Sequence, residues 1–260
     1  MRSNDRDCFQ HPHRGFTLVE LSIVLVILGL LVGGVLAGQS LIHAAELRAV
    51  GTEYTNYRTA LMAFRDKYFA LPGDMTNATS FWGDQAAGTN ACPSAATPDG
   101  TPGTCNGDGD GFIGTGSTPG VEGVRAWQQL SFASMVEGNF LGYYDSGKLT
   151  IGANVPRSKF PTAGWALLYR KVTPIWGISS NFLQLGAERM SQLWGPVFKP
   201  EDAWNIDQKF DDGAPDRGRI MLDGVSNTCV TPSAFADAAP GGHSYNLSMT
   251  DVSCYMYLKI

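Results

Sequence analysis

The stretch "HRGFTLVELSIVLVILGLLVGGVLAG", residues 13–38, decides the architecture of this 260-residue chain. From Leu21 to Gly38 it contains no charged residue. Counted from Phe16, the segment forms roughly 35 Å of helix at about 1.5 Å per residue, which is long enough to cross a bilayer. Glu20 needs an explanation, because a lone carboxylate inside a membrane segment costs about 2.5–3.5 kcal/mol and calls for a partner.

An apolar stripe of helical period follows this segment. It repeats at alternating spacings of three and four residues and consists of Leu47, Val50, Tyr54, Tyr57, Leu61, Phe64, Tyr68 and Leu71. We therefore predict one helix from Phe16 to about Phe69, with its first half in lipid and its second half packed on protein. Pro72-Gly73 is the stop signal. The charged residues predicted to lie off the stripe are Glu46, Arg48, Glu53, Arg58, Arg65, Asp66 and Lys67.

The remainder of the chain predicts loops, a short helix and strands. Residues 83–120 are rich in Gly, Ala, Thr, Pro, Asn and Asp and indicate a loop, and a second helix is predicted over 121–138. Short apolar runs between turn signals predict an antiparallel sheet. These runs are "GWALLYR" (164–170), "NFLQLGA" (181–187), "GRIMLDG" (218–224) and "CYMYLKI" (254–260). The predicted fold class is α+β, with a long N-terminal helix packed on a C-terminal antiparallel sheet.

Composition and motifs argue against two classes of function, nucleic-acid binding and enzymatic catalysis. The net charge is −5 and no Lys/Arg patch is visible, which argues against nucleic-acid binding. The sequence has no G-x-S-x-G, no H-E-x-x-H and no P-loop, so we predict that the protein is not an enzyme.

The cysteines predict two disulfides. Cys8 precedes the apolar segment, and four others follow it without metal-ligand spacing. In an oxidising compartment these four can form two bridges, and we favour the local pairs Cys92–Cys105 and Cys229–Cys254 because each brackets a Gly/Pro/Ser-rich loop. Free thiols in a cytosolic protein are the alternative.

"RGFTLVEL", from Arg14 to Leu21, resembles the cleavage and methylation motif of type IV prepilins and type II secretion pseudopilins. The resemblance implies that a prepilin peptidase cuts between Gly15 and Phe16 and N-methylates Phe16. It also implies that Glu20 pairs with the amine of an adjacent subunit in the filament. Two further stretches are similar to this family: "ALPGDMTNATSFWG" (70–83) resembles the exit from its long helix, and "IDQKFDDGAPDRGRI" (206–220) resembles its Asp-Asp-Gly strand–turn–strand.

The resemblance implies a pilin-like division of the chain. Its parts are a leader (1–15), a transmembrane and assembly half of the helix (16–38), an amphipathic half (39–71) and a periplasmic or extracellular globular domain (72–260). The expected partners are prepilin peptidase, other pilin or pseudopilin subunits and the inner-membrane assembly platform. Arg2, Arg6 and Arg14 keep the N-terminus cytoplasmic, so we expect a single-pass inner-membrane protein that then enters a filament. A mature length of 245 residues and loop insertions favour a minor or specialised subunit.

Other interpretations compete with this one. Val35-Leu36-Ala37 resembles a signal-peptidase site, but a signal peptide has a shorter apolar core and no glutamate in it. A plain uncleaved anchor is a further alternative. From a different class, the chain could be a membrane-tethered, calcium-dependent adhesin or glycan-binding protein that uses its six tryptophans.

"CNGDGDGFIG", residues 105–114, resembles the first half of an EF-hand calcium loop, in which oxygens alternate along the chain. The usual twelfth-position glutamate is missing, and an Asn/Asp/Gly-rich turn without an ion is the alternative. Asp211-Asp212 could also bind a cation, but an Asx turn is favoured there. The candidate calcium ligands are the side chains of Asn106, Asp108 and Asp110, the carbonyl of Phe112 and, folded back, the carboxylate of Glu122.

Overall fold

The computed structural model of the chain describes residues 15, 17–85, 103–114, 121–144, 148–171, 179–190, 192–222, 228–231 and 242–260. Its helices are α1 (Leu18–Tyr68), α2 (Thr79–Trp82), α3 (Val121–Phe132) and α4 (Pro200–Phe210). Its strands are β1 (Ala163–Lys171), β2 (Ser179–Arg189), β3 (Gln192–Gly195), β4 (Ile220–Met221), β5 (Val230–Thr231), β6 (Ser244–Tyr245) and β7 (Met256–Lys259). A long N-terminal helix and a C-terminal antiparallel sheet confirm the predicted α+β class.

The chain divides into two units, Met1–Ala45 and Glu46–Ile260. In the first unit, α1 carries apolar side chains on every face and leaves them exposed; Leu25, for example, is 69% exposed. Within the described residues, α1 is the one helix that is long and apolar enough to cross a membrane. The exposed apolar surface fits the membrane half of the helix that the sequence predicts.

In the second unit, α1 buries the predicted stripe. Val50, Leu61 and Phe64 are at most 1% exposed, and the other members of the stripe are buried or half-buried against the same core. A side chain at Gly51 would overlap the ring of Phe210, so the bare backbone there lets the end of α4 pack directly on α1. This burial of one face fits the amphipathic second half that the sequence predicts.

Strand β2 is the centre of the main sheet. It pairs with β1 on one side and with the C-terminal strand β7 on the other, β3 folds back onto it, and β4 pairs with β7. Trp165, Leu185 and Met256 lie opposite one another across β1, β2 and β7, and all three are fully buried. All of these pairings are antiparallel, and β5 and β6 form a separate two-stranded ladder.

The predicted strands differ in how much of their length forms a strand in the structure. The runs at 164–170 and 181–187 lie inside β1 and β2, and the run at 254–260 contains β7. Of the run at 218–224, the described residues 218–222 contain the two-residue strand β4.

Helix α3 is shorter than the predicted 121–138 because it ends at Phe132. Ser134 takes a left-handed backbone conformation with φ 59°, and the amide of Met135 donates to the carbonyl of Leu130. This is a Schellman ending, in which glycine is the usual left-handed residue. A serine in that position gives no recognisable stop signal, so the sequence-based prediction ran on.

Helix α4 shows that the predicted strand–turn–strand at 206–220 is wrong in its first part. That part belongs to α4, and only the end of the stretch enters β4. Pro200 at the first turn and the acidic residues Glu201 and Asp202 after it favour a helix start. These start signals were in the sequence and outweigh the resemblance to a strand.

Glu53 is buried, contrary to the prediction that it lies off the core face, and is only 8% exposed. Its carboxylate accepts hydrogen bonds from Ser158 Oγ at 2.6 Å, from the Lys159 amide at 2.7 Å and from Trp165 Nε1 at 2.8 Å. Burying a carboxylate is tolerable when donors surround it in this way. Glu53 therefore ties α1 to β1 and to the segment that precedes it.

The predicted bridge Cys229–Cys254 is present and joins residues 25 positions apart. Cys105 is also in a disulfide. Its predicted partner Cys92 lies outside the described residues, as does Cys8.

Candidate functional site

The N-terminal motif places Glu20 in the first turn of α1. Gly15 is exposed, and Phe16, like the leader residues before Gly15, lies outside the described residues. Both the amide and the hydroxyl of Thr17 donate to Glu20 Oε2, each at 2.8 Å, and the Glu20 amide donates back to Thr17 Oγ1 at 3.2 Å. This reciprocal pair is a capping box, in which each side chain satisfies a backbone amide at the start of the helix.

The Thr17–Glu20 pair could have been found in the sequence as T-x-x-E before an apolar run. It gives Glu20 a local partner within the chain, which the sequence analysis did not anticipate. The carboxylate is thereby held at the end of α1 where the helix dipole favours negative charge.

A second candidate site forms where the loop at 103–114 folds around the carboxylates of Asp74 and Glu122. Asp108, Asp110 and Asp74 bring ligand oxygens within 4.8 Å of one another. Asp74 was not predicted: it lies in the turn after α1, more than 30 positions from its loop partners. Its position directly after Pro72-Gly73 is the only sequence signal that marks it.

Asp74 organises the loop through its backbone. Its Oδ1 accepts the Gly109 amide at 2.7 Å and its Oδ2 accepts the Gly111 amide at 3.0 Å. Both glycines have positive φ, 77° and 87°, so the conformation that aims these amides inward suits glycine. Asp74 is 4% exposed, and the loop encloses it.

Glu122, in the first turn of α3, holds the loop from the other side. Its Oε1 accepts the Asp108 amide at 3.3 Å and its Oε2 accepts the Gly114 amide at 2.6 Å. Glu122 therefore contacts the loop, and its role as a calcium ligand stays a prediction. It is not among the three carboxylates that share one point, and nothing places it as an ion ligand.

The predicted ligands also make hydrogen bonds and ring contacts of their own. Asn106 Oδ1 accepts the amide of Thr79 at 2.9 Å and so braces the start of α2. Asp108 and Asp110 each accept the amide two residues on, which makes successive Asx turns. The Phe112 ring lies 4.1 Å from the ring of Tyr169 in β1.

The loop is fixed to the sheet. Asn181 in β2 donates from Nδ2 to the Gly111 carbonyl at 3.0 Å and accepts the Ile113 amide at 2.8 Å. The amide of Tyr169 donates to the Ile113 carbonyl at 2.7 Å. A site built on a loop held at both ends keeps its oxygens in place, which favours a defined coordination geometry.

The electrostatics of this loop favour an added positive charge. Burial raises the pKa of Asp74, and the charges of Asp110 and Asp108 raise it further against the opposing hydrogen bonds from Gly111 and Gly109. Burial likewise raises the pKa of Glu122. Such shifts mean that the carboxylates are under-compensated when all are ionised.

Arg125 is the cationic side chain beside this cluster. Its Nη1 donates to the Asn106 carbonyl at 3.2 Å. Burial lowers the pKa of Arg125 to about 10, against the nearby charge of Glu122. Arg125 thus supplies one positive charge near the loop, next to several carboxylates.

A third group of carboxylates lies at the turn after α4 and accepts hydrogen bonds there. Its members are Asp207, Asp211 and Asp212. Asp207 accepts the Tyr245 hydroxyl at 2.7 Å, and Asp211 accepts the amides of Arg219 and Ile220. Burial raises the pKa of Asp207 to about 7.

Asp212 completes that turn. It accepts the Ala214 amide at 2.9 Å, which is the Asx turn that the sequence favoured, and it pairs with Arg217 Nε at 3.1 Å. These carboxylates shape the turn rather than leaving oxygens free.

The tryptophans do not form an exposed platform in the described residues. Trp127 and Trp165 are fully buried, and Trp82, Trp194 and Trp204 are partly buried against the core. Glycan binders commonly present aromatic faces to solvent, so this packing gives the glycan-binding alternative no support.

An exposed apolar N-terminal helix with this motif fits a membrane-anchored protein. Residues 11–36, about a tenth of the chain, match the family model described as the prokaryotic N-terminal methylation motif. This motif supports a type IV prepilin- or pseudopilin-like protein. No curated protein and no solved structure matches the chain.

The motif has consequences for partners. It implies processing by a peptidase and assembly with other pilin subunits. Proteins of this family are structural rather than enzymatic.

Proposed function

We propose that the chain is a minor or specialised structural subunit of a type IV pilus or a type II secretion pseudopilus. The observation that carries the proposal is the methylation motif at the start of a helix whose apolar side chains lie exposed. Residues 1–15 are the leader, cleavage falls between Gly15 and Phe16, and Phe16 is N-methylated.

The exposed half of α1 needs an apolar environment. Each Å² of apolar surface left in water forgoes about 25 cal/mol of stabilisation, and Leu25, Leu30 and Leu36 are all more than half exposed. Lipid covers this surface in the membrane, and the helices of neighbouring subunits cover it in a filament. One segment thus serves first as anchor and then as assembly interface.

Glu20 supplies the directional contact. Cleavage after Gly15 creates an amine on Phe16, four residues before Glu20 and about 6 Å along a helix. A carboxylate in an apolar surrounding is stabilised by such an amine, and the amine of an adjacent subunit is the partner proposed here. Before assembly, the bonds from Thr17 keep the Glu20 carboxylate at the helix terminus.

The orientation follows from charge and redox chemistry. Arg2, Arg6 and Arg14 retain the N-terminus in the cytoplasm. The bridge Cys229–Cys254 fits an oxidising compartment for the second unit, which is the periplasm in this proposal. The globular domain, 72–260, then lies outside the inner membrane, next to the assembly platform.

Replacing Glu20 tests the proposal. Glu20→Ala should be processed normally but should enter filaments at a small fraction of the wild-type level. Processing is measured by the mass of the mature chain, and assembly by the amount of the chain in sheared filaments. Ser22→Ala, in the same exposed segment, is the matched control and should assemble normally. Wild-type assembly by Glu20→Ala would contradict the role given to Glu20, and an uncleaved wild-type chain would contradict the proposal as a whole.

The filament system can be tested separately. Deleting the gene and measuring twitching motility, DNA uptake and protein secretion identifies which machine contains the subunit. A secretion defect alone would assign the chain to a pseudopilus, and a motility or uptake defect would assign it to a pilus.

We further propose that the loop at 103–114 binds Ca²⁺. The convergence of Asp74, Asp108 and Asp110 supports this, because Ca²⁺ takes carboxylate oxygens as ligands. A divalent cation would offset the charges that raise the pKa of Asp74 and Glu122. Backbone carbonyls, including that of Phe112, and Asn106 would complete the shell.

Calcium binding should appear as a change in thermal stability. Adding a chelator should lower the melting temperature of the full chain in detergent, since a ligand at about 100 times its Kd stabilises by about 2.7 kcal/mol. Asp108→Ala should abolish this response, while Asp251→Ala, at another exposed aspartate, should retain it. A melting temperature that does not change on chelation would rule out the calcium site.

A further inference from the structure

We propose that a cavity beside the second half of α1 binds a small zwitterion with an apolar body, of the class of an apolar amino acid or dipeptide. The cavity, here called the Glu53 cavity, has a volume of about 580 Å³, within the range of about 300–1,000 Å³ that is usual for small-molecule sites. It lies between α1, the segment that follows α3 and the segment that precedes β1. The inference goes beyond the proposed function, because assembly through the N-terminal helix requires no ligand here.

Glu53 gives the cavity a buried negative charge. It is only 8% exposed, and its carboxylate accepts hydrogen bonds from three uncharged donors, on Ser158, Lys159 and Trp165. One of these bonds goes to Oε1 and two go to Oε2, so Oε1 can accept one more. Within the described residues, no cationic side chain pairs with Glu53. A ligand ammonium would supply the positive charge that a buried carboxylate favours.

Tyr57 adds a polar group next to this carboxylate, one turn further along α1, and lines the same cavity. Burial and the charge of Glu53 raise the pKa of the Tyr57 hydroxyl, so this hydroxyl stays protonated at neutral pH. It forms no hydrogen bond in the part of the chain that the structure describes. Edge contacts hold its ring, 4.9 Å from the ring of Trp127 and 5.8 Å from that of Trp165. A fixed aromatic ring with a free hydroxyl favours an ammonium group beside it.

Apolar side chains form another part of the cavity lining. Met135 and Val136, just after α3, are half-buried, and Phe140 and Pro156 are buried. An apolar ligand group that covers this lining leaves water, which is favourable. The ligand therefore needs an aliphatic or aromatic body in addition to its ammonium.

The exposed end of the cavity is mainly cationic. Arg157 and Lys159 flank the buried Ser158, and both are exposed. Neither of their side chains forms an ion pair within the described residues. Glu137 is the one exposed carboxylate in the lining. With an anion at the buried end and two cations against one anion at the exposed end, the charges favour a ligand with an ammonium inside and a carboxylate outside.

Calorimetric titration of the full chain in detergent tests the inference. The probes are L-leucine and L-leucyl-L-leucine, and we expect at least one of them to bind saturably with one site per chain. The N-acetyl derivative of the tighter probe lacks the ammonium, and its amide derivative lacks the carboxylate. Each derivative should bind about tenfold more weakly or worse, as expected for the loss of a bond between charged groups.

Variants assign the binding to the Glu53 cavity. Glu53→Gln keeps an acceptor but removes the charge, and it should weaken binding of the tighter probe about tenfold or more. Combining Arg157→Gln with Lys159→Gln should weaken binding of that probe but leave binding of its amide derivative unchanged, because the amide has no carboxylate to lose. Asp66→Asn, at an exposed aspartate of α1 outside the cavity, is the matched control and should bind normally. The melting temperature of each variant checks its folding, and the exposed Arg157 and Lys159 keep the test decisive even if Glu53→Gln does not fold.

The outcomes separate this inference from the proposed function. The absence of saturable binding by both probes would overturn it. An N-acetyl derivative that binds as tightly as its parent would overturn the role of Glu53, and binding unchanged in the Arg157/Lys159 double variant would overturn the role of the exposed end. None of these results bears on filament assembly, which Glu20→Ala tests, so the two proposals fail independently.

Discussion

The two halves of α1 use the same backbone for opposite purposes. From Leu18 onward the first half exposes apolar side chains all round, whereas the second half buries one stripe and exposes its charged faces. Leu25 is 69% exposed and Phe64 is fully buried. The second half packs on the core of its own unit, whereas the apolar side chains of the first half are exposed. Equivalent substitutions in the two halves should therefore have unequal effects on stability.

The largest difference is expected for truncating an apolar side chain. Phe64→Ala should lower the free energy of unfolding by about 3–5 kcal/mol, because it leaves a cavity in the core. Leu28→Ala, in the exposed half, should change it by less than about 0.5 kcal/mol. Urea unfolding of the full chain in detergent, followed by tryptophan fluorescence, measures both. Equal losses would show that the first half also packs on the globular unit.

A smaller effect is expected for the buried carboxylate of the second half. Glu53→Ala leaves the donors on Ser158, Lys159 and Trp165 unpaired, and it should cost about 1–3 kcal/mol. Glu53→Gln keeps an acceptor oxygen and should cost less. Asp66→Ala is the matched control, since Asp66 is exposed on the same helix. A loss at Asp66 equal to that at Glu53 would mean that helix charge, and not the buried contact, is responsible.

The smallest effect on the free energy of unfolding is expected for replacing a glycine of α1 by alanine. Gly51→Ala gains helix propensity but pushes against the Phe210 ring, and the net loss should be about 1 kcal/mol. Gly34→Ala meets no atom and should not destabilise the chain. Adding Phe210→Ala to Gly51→Ala should make the Gly51 substitution harmless, measured as a double-mutant cycle. An additive pair would contradict the close packing at this position.

The long helix could be predicted from the sequence because its apolar residues recur at a regular spacing. The sites could not be predicted, because their contacts join residues far apart in sequence. The stripe from Leu47 to Leu71 repeats locally, so its burial was predictable. Glu53 looked like a surface charge because its three partners lie more than 100 positions away. Asp74 was not predicted for the same reason, since the glycine amides that it binds lie 35 and 37 positions further along the chain.

The local errors have local causes. Helix α4 carried its start signals at Pro200 and Glu201, but the resemblance of the following residues to a strand–turn–strand took precedence over them. Helix α3 ended at a serine that adopts the conformation usual for glycine, which no propensity rule anticipates. The Thr17–Glu20 cap is readable as T-x-x-E before an apolar run, because both residues lie within one helical turn.

The bridge Cys229–Cys254 affects how the protein tolerates cutting. The chain between the two cysteines includes "PSAFADAAPGG" at 232–242, which is mostly small residues, a composition that proteases attack readily when it is accessible. One cut there would leave β7, which pairs with both β2 and β4, covalently attached to the body of the protein. A chain cut once in this stretch would still migrate as one species on a denaturing gel until the disulfide is reduced.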